Sequence, residues 1–294
     1  MLRALLPRGS TEPGGFAVAV SGRTRITLPG NLPVMYLSTR LRIARGTWVA
    51  LVAVAACAPA FKLSKFKGNA ELYAAASREY KKGHWDNAIQ AFERLTLDLP
   101  ARDTLLPLSY WYLATAHAQK GEHLLAAQGY SRLNQTFPDD SIADDAMLAE
   151  ATQYTKMWRK PTLDSQYGQT ALATYRSMLE LYPDSPLAPQ AQKGVQHMLE
   201  WLATKDYLTG VHYVRRKAPD SAILYFKDVI KNYPETEHAR ESYLRLVEVY
   251  RSINYRDDAR DACTTLHQKY PGDNEVRTIC GPPPPATVAK PATP

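Results

Sequence analysis

Five stretches of the chain repeat one spacing of small, aromatic, aliphatic and proline residues. The first copy is Ala88, Phe92, Leu95 and Pro100, and the second is Ala126, Tyr130, Leu133 and Pro138. Ala171, Tyr175, Met178 and Pro183 form the third, and Ala222, Phe226, Val229 and Pro234 the fourth. In the fifth, Ala259, Leu266 and Pro271 keep their places while Cys263 replaces the aromatic. An apolar residue stands before each proline: Leu99, Phe137, Tyr182, Tyr233 and Tyr270. Steps of four and three residues put these side chains on one face of a helix. Proline then ends the helix, because its ring clashes with the preceding turn and restrains the residue before it. Alanine at one fixed place marks a point where a neighbouring helix comes too close for a larger side chain.

Each copy is the second helix of a pair. The pattern predicts a first helix from about Asn69, carrying Leu72, Tyr73, Ala76 and Tyr80, with a second over Asp86 to Leu97. Leu106–Lys120 pairs with Glu122–Thr136, and Ile142–Trp158 pairs with Gln166–Leu181 across an insertion, Arg159 to Tyr167. The fourth pair is the longest, from about Leu187 through Leu208 and on toward Arg216, then Ser221–Asn232. Glu237–Ser252 with Arg256–Lys269 closes the series, and Asp273 to Cys280 reads as a half-helix cap. Gly83 and Gly121 mark the turns inside the first two pairs. Such self-similarity means an all-α helical repeat array of about five helix pairs over residues 69–280. Its small–aromatic–proline helix resembles the second helix of a tetratricopeptide (TPR) unit, so the expected fold class is a TPR-like solenoid. The alternative is a non-repetitive bundle whose prolines coincide.

Charge changes the picture at one point. The formal net charge is +7, which suggests a nucleic-acid ligand. Seven arginines and a single acid, Glu12, precede Cys57, leaving 29 basic and 28 acidic residues in the remainder. Without its leader the chain has no global basic field for phosphates, and no nucleic-acid partner is expected.

The leader has its own order. Residues 1–34 show no periodicity, and Met35 looks like a second beginning, so the true start is Met1 or Met35. Arg40, Arg42 and Arg45 precede an uncharged apolar run, Gly46 to Ala56, and small residues precede Cys57. Residues 35–56 therefore read as a secretory signal, too short in its apolar part to span a bilayer. Val54-Ala55-Ala56-Cys57 resembles a bacterial lipobox, which makes Cys57 the expected lipidation site; an ordinary signal peptide with a chance cysteine is the alternative. Residue 58 is Ala rather than Asp, which by the same resemblance favours the outer membrane. Residues 57–68 form a Lys-rich tether, and residues 281–294 a proline-biased tail.

Together the tether, repeats and insertion resemble the BamD family, TPR lipoproteins of the machine that folds β-barrels into the outer membrane. The insertion Arg159-Lys160-Pro161-Thr162-Leu163-Asp164-Ser165-Gln166-Tyr167 is similar to that family's third-repeat linker. Tyr182-Pro183-Asp184-Ser185-Pro186 and the run from Gly83 through Trp85, Ala88 and Ile89 to Phe92 are similar as well. The resemblance implies an outer-membrane lipoprotein scaffold facing the periplasm, anchored to lipid through acylated Cys57. It implies a BamA-like barrel-inserting partner bound mainly through repeats three to five, unfolded outer-membrane β-barrel substrates bound by the N-terminal repeats, and room for other assembly lipoproteins. Arg245, Tyr250, Arg251 and Tyr255 in repeat five are the candidate partner surface.

The residues themselves argue for binding rather than catalysis. The chain has no Gly-x-Ser-x-Gly elbow, no His-Glu-x-x-His, no phosphate-binding glycine loop and no Cys-x-x-Cys. Its seven histidines are scattered, so no metal site, cofactor or enzymatic activity is expected. Asp139, Asp140, Asp144 and Asp145 read as helix-start acids that suit the helix dipole. Cys263 and Cys280 are either a disulfide pinning the end of the array or two buried thiols. Tyr110 and Tyr154 on first helices are candidates for a substrate groove, as are Tyr243 and Tyr250. Two rival functions remain: a periplasmic TPR adaptor for cell division, envelope constriction or a secretion complex, and, from another class, a peptidoglycan-acting enzyme.

Overall fold

A computed structural model describes residues 61–283, so the leader, Cys57 and most of the C-terminal tail lie outside the described residues. A short 3-10 turn, Leu63–Lys65, precedes eleven α-helices among the described residues. They are α1 (Asn69–Lys81), α2 (Trp85–Asp98), α3 (Leu105–Gln119), α4 (His123–Thr136), α5 (Ala143–Met157) and α6 (Gln166–Leu181). After these come α7 (Ala188–Arg215), α8 (Pro219–Asn232), α9 (Glu237–Ser252), α10 (Arg256–Lys269) and α11 (Asn274–Cys280). All belong to one compact unit beginning at Leu63. The fold is an all-α, TPR-like repeat array of five helix pairs and a cap.

Each helix packs on the one before it and the one after, and successive first helices also touch, α1 with α3, α5 with α7 and α7 with α9. The repeated residues make that stacking work. Every pattern alanine, aromatic and aliphatic residue is buried, and so is Cys263. Where the aromatic is tyrosine, its hydroxyl needs a partner inside the core. Tyr130 Oη lies 2.9 Å from Thr115 Oγ1, and Tyr175 Oη lies 3.3 Å from Thr155 Oγ1. Phe92 and Phe226 hold the same place with no such demand.

The prolines end helices, and each is followed within two or three residues by a side chain that accepts from a backbone N–H at the next start, from the N-cap position itself in Thr236 and Asp273. Asp103 accepts from the Leu105 N–H at 2.8 Å, and Asp140 accepts from Ile142 at 3.1 Å. Ser185 does the same for Leu187 at 3.1 Å, Thr236 for Ala239 at 3.3 Å, and Asp273 for Glu275 at 2.8 Å. These bonds satisfy amides that have no partner within their own helix. The turn inside a pair follows a second rule. Gly83 (φ 77°) and Gly121 (φ 79°) are left-handed, and the next residue's N–H returns to a carbonyl five residues earlier: His84 to Glu79, Glu122 to His117. Lys217 (φ 56°) and Asn254 (φ 62°) make the same turn in repeats four and five, with Ala218 bonded to Tyr213 and Tyr255 to Tyr250. All four are Schellman endings.

Repeat three departs from that plan because Arg159–Tyr167 replaces the tight turn. Trp158 ends α5 fully buried, edge-on to Trp201 of α7 at 5.5 Å. Tyr167 stacks on Tyr154 at 6.4 Å, and Lys205 Nζ of α7 donates to the Leu163 carbonyl at 2.7 Å. The insertion is thus folded back on α5 and α7. The 28 residues of α7 pack on α6 through Ala191, Val195 and Met198, meet the insertion at Lys205, and pair with α8 where Gly210 lies against Phe226.

Candidate functional site

A groove of about 620 Å³ crosses α2, α3, α4 and α5 in the first three repeats. Tyr110 and Tyr154, both expected groove residues, line it together. Tyr110 also leans on Phe137, with ring centroids 6.2 Å apart. Two other apolar contributors come from second helices, which the repeat pattern assigns to packing alone. Leu97 is 81% exposed and Leu125 48% exposed, a costly arrangement for leucine unless something covers it. The sequence does carry a signal for Leu97. It sits two residues beyond the core Leu95, on the polar side of α2, so its burial cannot come from the helix pair. Gln128, Arg132 and Gln135 of α4 add amide and guanidinium donors along the same groove.

Behind the groove lies a buried carboxyl. Glu150 of α5, only 8% exposed, stands one turn before Tyr154. Burial pushes its carboxyl up to about 7, and a hydrogen bond from the Ser131 hydroxyl opposes the shift. Burial also raises the Tyr154 phenol, with Glu150 and Tyr167 adding to the effect. A protonated Glu150 is a donor as well as an acceptor, next to a groove whose polar lining includes Gln128, Gln135, Arg132, Glu93 and the two tyrosines.

At the other end, Cys263 of α10 and Cys280 of α11 form a disulfide, with Cα atoms 5.4 Å apart. It holds α11 so that Val276 is buried against Leu244, Val247 and Leu266. Arg240 bonds Asp273 and Glu275 of the cap region at 3.2 and 3.0 Å, and Arg251 Nη1 donates to the Ile279 carbonyl at 2.8 Å. The four candidate partner residues separate here. Arg245 is exposed, paired with Glu248 at 2.8 Å and with the Tyr207 hydroxyl at 3.4 Å, and lines a small cleft with Glu275 and Ile279. Tyr255 is 52% exposed on the turn after α9. Tyr250 must be corrected: it is 4% exposed and packs with Phe226, Leu246 and Ala259. Its place, three residues after Val247 and four after Leu246, is a core phase, so it supports Tyr255, stacked on it at 6.4 Å, rather than meeting a partner. Tyr243 is half-buried beneath Lys269, whose Nζ is 5.4 Å from the ring centre.

Four histidines, His84, His117, His123 and His238, have acidic or amide side-chain partners. His117 Nδ1 lies 2.7 Å from Glu122, and His123 Nδ1 lies 2.9 Å from Gln153. Among the described residues no group of three His, Cys, Asp or Glu side chains could hold a metal, and no helix is long and apolar enough to cross a membrane.

Comparison with known proteins gives one coherent result. The family model described as "YfiO: Outer membrane lipoprotein" matches residues 67–266. The outer membrane protein assembly factor BamD of Caulobacter vibrioides is 26% identical over 206 residues, covering 69% of this chain and 66% of that protein. BamD of Vibrio cholerae is 28% identical over 198 residues, covering 64% of this chain and 81% of its own. A crystal structure of a thermophilic TPR protein from Thermus thermophilus aligns at 19% identity and a TM-score of 0.32, covering 72% of this chain and 96% of that one. The match to the Caulobacter protein spans just under two thirds of its length, and the family model covers most of the repeat array described above. The chain belongs to the YfiO outer membrane lipoprotein family, in which its relatives are BamD.

Proposed function

We propose that this chain is an outer-membrane lipoprotein scaffold of the β-barrel assembly machine, facing the periplasm and anchored through acylated Cys57. The observation that carries the reading is the groove of the first repeats. Its exposed Leu97 and Leu125, its tyrosines Tyr110 and Tyr154 and its amide donors suit an extended, partly apolar polypeptide, the form an unfolded barrel strand takes. The C-terminal repeats, with Arg245 and Tyr255 exposed and the cap locked in place, offer the face for a BamA-like barrel-inserting subunit. Family membership supports this division, and the work done is binding and positioning, with no bond chemistry.

Photo-crosslinking side chains introduced at Leu97 and at Arg245, in the native outer membrane, test it. The expected adducts are unfolded barrel proteins at position 97 and one large barrel protein with periplasmic repeat domains at position 245. Adducts with division or secretion components at both positions would overturn the reading in favour of a TPR adaptor.

A further inference from the structure

The segment just before α1 carries charge that the repeats neither need nor neutralise. Residues 57–68 contain Lys62, Lys65 and Lys67 and no acid, whereas residues 69–294 contain 26 basic and 28 acidic side chains. The positive charge that remains after the leader is therefore concentrated in the tether. All three lysines are exposed. Among the described residues, the ion pairs include none of them, although Lys82 and Lys120 of the first two repeats both reach carboxylates. Phe61, Leu63 and Phe66 alternate with them and are half-buried. From Leu63 on, the stretch is held to the first repeat: Leu63–Lys65 forms a 3-10 turn, the Phe66 N–H bonds the Leu63 carbonyl at 3.2 Å, and Glu71 accepts from the Lys67 N–H at 3.3 Å. Lys65 and Lys67 thus sit at a fixed place on the array, and Lys62 is the residue that precedes this turn in the chain.

We infer that Lys62, Lys65 and Lys67 form an anionic-phospholipid contact that seats the first repeat on the membrane surface beside its anchor. The inference rests on the proposed acylation of Cys57. Three residues separate Cys57 from Phe61. At about 3.5 Å per residue, Lys62 lies within ~17 Å of the anchor and Lys67 within ~35 Å. Anchoring therefore keeps these charges close to the headgroups, where binding is effectively intramolecular. Each lysine near an anionic surface gains about 1 kcal/mol, and the attraction dies away within about a Debye length, ~8 Å at physiological salt. An acyl anchor gives attachment, and a basic patch beside it adds orientation. A free acyl tether would let the array swing; a tether held by headgroups would set the angle at which the groove of the first repeats faces the bilayer.

The test uses the complete acylated protein in vesicles of phosphatidylcholine alone, or with phosphatidylglycerol added. Lysines are labelled with a water-soluble acylating reagent, and each site is read by mass spectrometry after vesicle flotation. Labelling at Lys62, Lys65 and Lys67 is expected to slow roughly fivefold with phosphatidylglycerol, the ratio that corresponds to about 1 kcal/mol. Lys193 and Lys231, exposed on distant helices, should not change. Equal labelling on both vesicles, with the protein floating, overturns the lipid contact and leaves the anchor standing. Failure to float, with an unmodified Cys57, overturns the anchor and the contact together.

Discussion

The indole of Trp158 lies directly over Gly168, so close that a β-carbon at position 168 would overlap its six-membered ring. This contact seats the insertion of repeat three, because Trp158 closes α5 and Gly168 lies in the first turn of α6. Helix propensity alone would favour Gly168→Ala by about 1 kcal/mol. Overpacking a rigid buried ring costs about 1–3 kcal/mol and should win. The variant is expected to unfold at lower urea concentration and to lose near-ultraviolet tryptophan dichroism. A stabilised variant would mean that the indole can move aside freely.

The left-handed turns predict effects of opposite sign. Lys217 and Gly121 occupy equivalent places, but only the glycine adopts positive φ without a β-carbon clash. Lys217→Gly is expected to stabilise the array by about 0.5–1 kcal/mol, and Gly121→Ala to destabilise it by about 1 kcal/mol. Asn254→Gly should change little, since asparagine tolerates this region. Thermal melts of the three variants side by side test the ordering; a destabilised Lys217→Gly would show that the lysine side chain holds the turn.

These turns show where the sequence is legible and where it is not. Gly83 and Gly121 announce both the turn and its left-handed residue, whereas in repeats four and five the sequence places the turns, near Lys217–Asp220 and between Ser252 and Arg256, without marking Lys217 or Asn254 as left-handed, because a helix ending is fixed by backbone bonds that several residues can serve. The helices of repeat five, Glu237–Ser252 and Arg256–Lys269, are legible to the residue because Pro234 and Thr236 bracket the first start and Pro271 the last stop. The groove is half legible. Tyr110 and Tyr154 lie on first helices, where the repeat plan places a groove, whereas Leu97 and Leu125 come from second helices that the pattern marks only as core. Tyr250 misleads for the converse reason: a first-helix aromatic can face either way, and only its phase with Leu246 and Val247 settles it.

Loss of the Cys263–Cys280 bridge should loosen the cap before anything else. The half-cysteines are 17 residues apart, and closing a loop of that size is worth about 3 kcal/mol in the chain-entropy model. The seven-residue α11 has little else to hold it beyond Val276 and the Arg240 and Arg251 bonds. In Cys280→Ser, amide hydrogens of residues 274–280 are expected to exchange many-fold faster, while those of α3 to α6 stay as they were. Uniform exchange across the chain in wild type and variant would show that the bridge adds nothing to the cap.

Glu150 makes the stability of the first repeats depend on pH in a direction unusual for a carboxylate. Its folded value is raised to about 7 from an ordinary 4.5, with burial the main cause. Between those two values the folded state holds a proton that the unfolded chain has released. Stability therefore falls as pH rises through this window, and the loss is complete above the folded value. The penalty at about pH 8 is at most about 3 kcal/mol, the product of the shift and 1.36 kcal/mol per unit. Glu150→Gln keeps the shape and cannot ionise. The difference in urea midpoint, variant minus wild type, should be near zero at the acid end and grow steadily toward pH 8. A constant difference would mean that Glu150 stays charged and solvated behind the groove. A growing one would mean that a neutral acid beside Tyr154 is the resting state below about pH 7, so that a cationic peptide side chain entering the groove would meet the exposed carboxylate of Glu93 first and gain a second counter-charge from Glu150 only by displacing that proton.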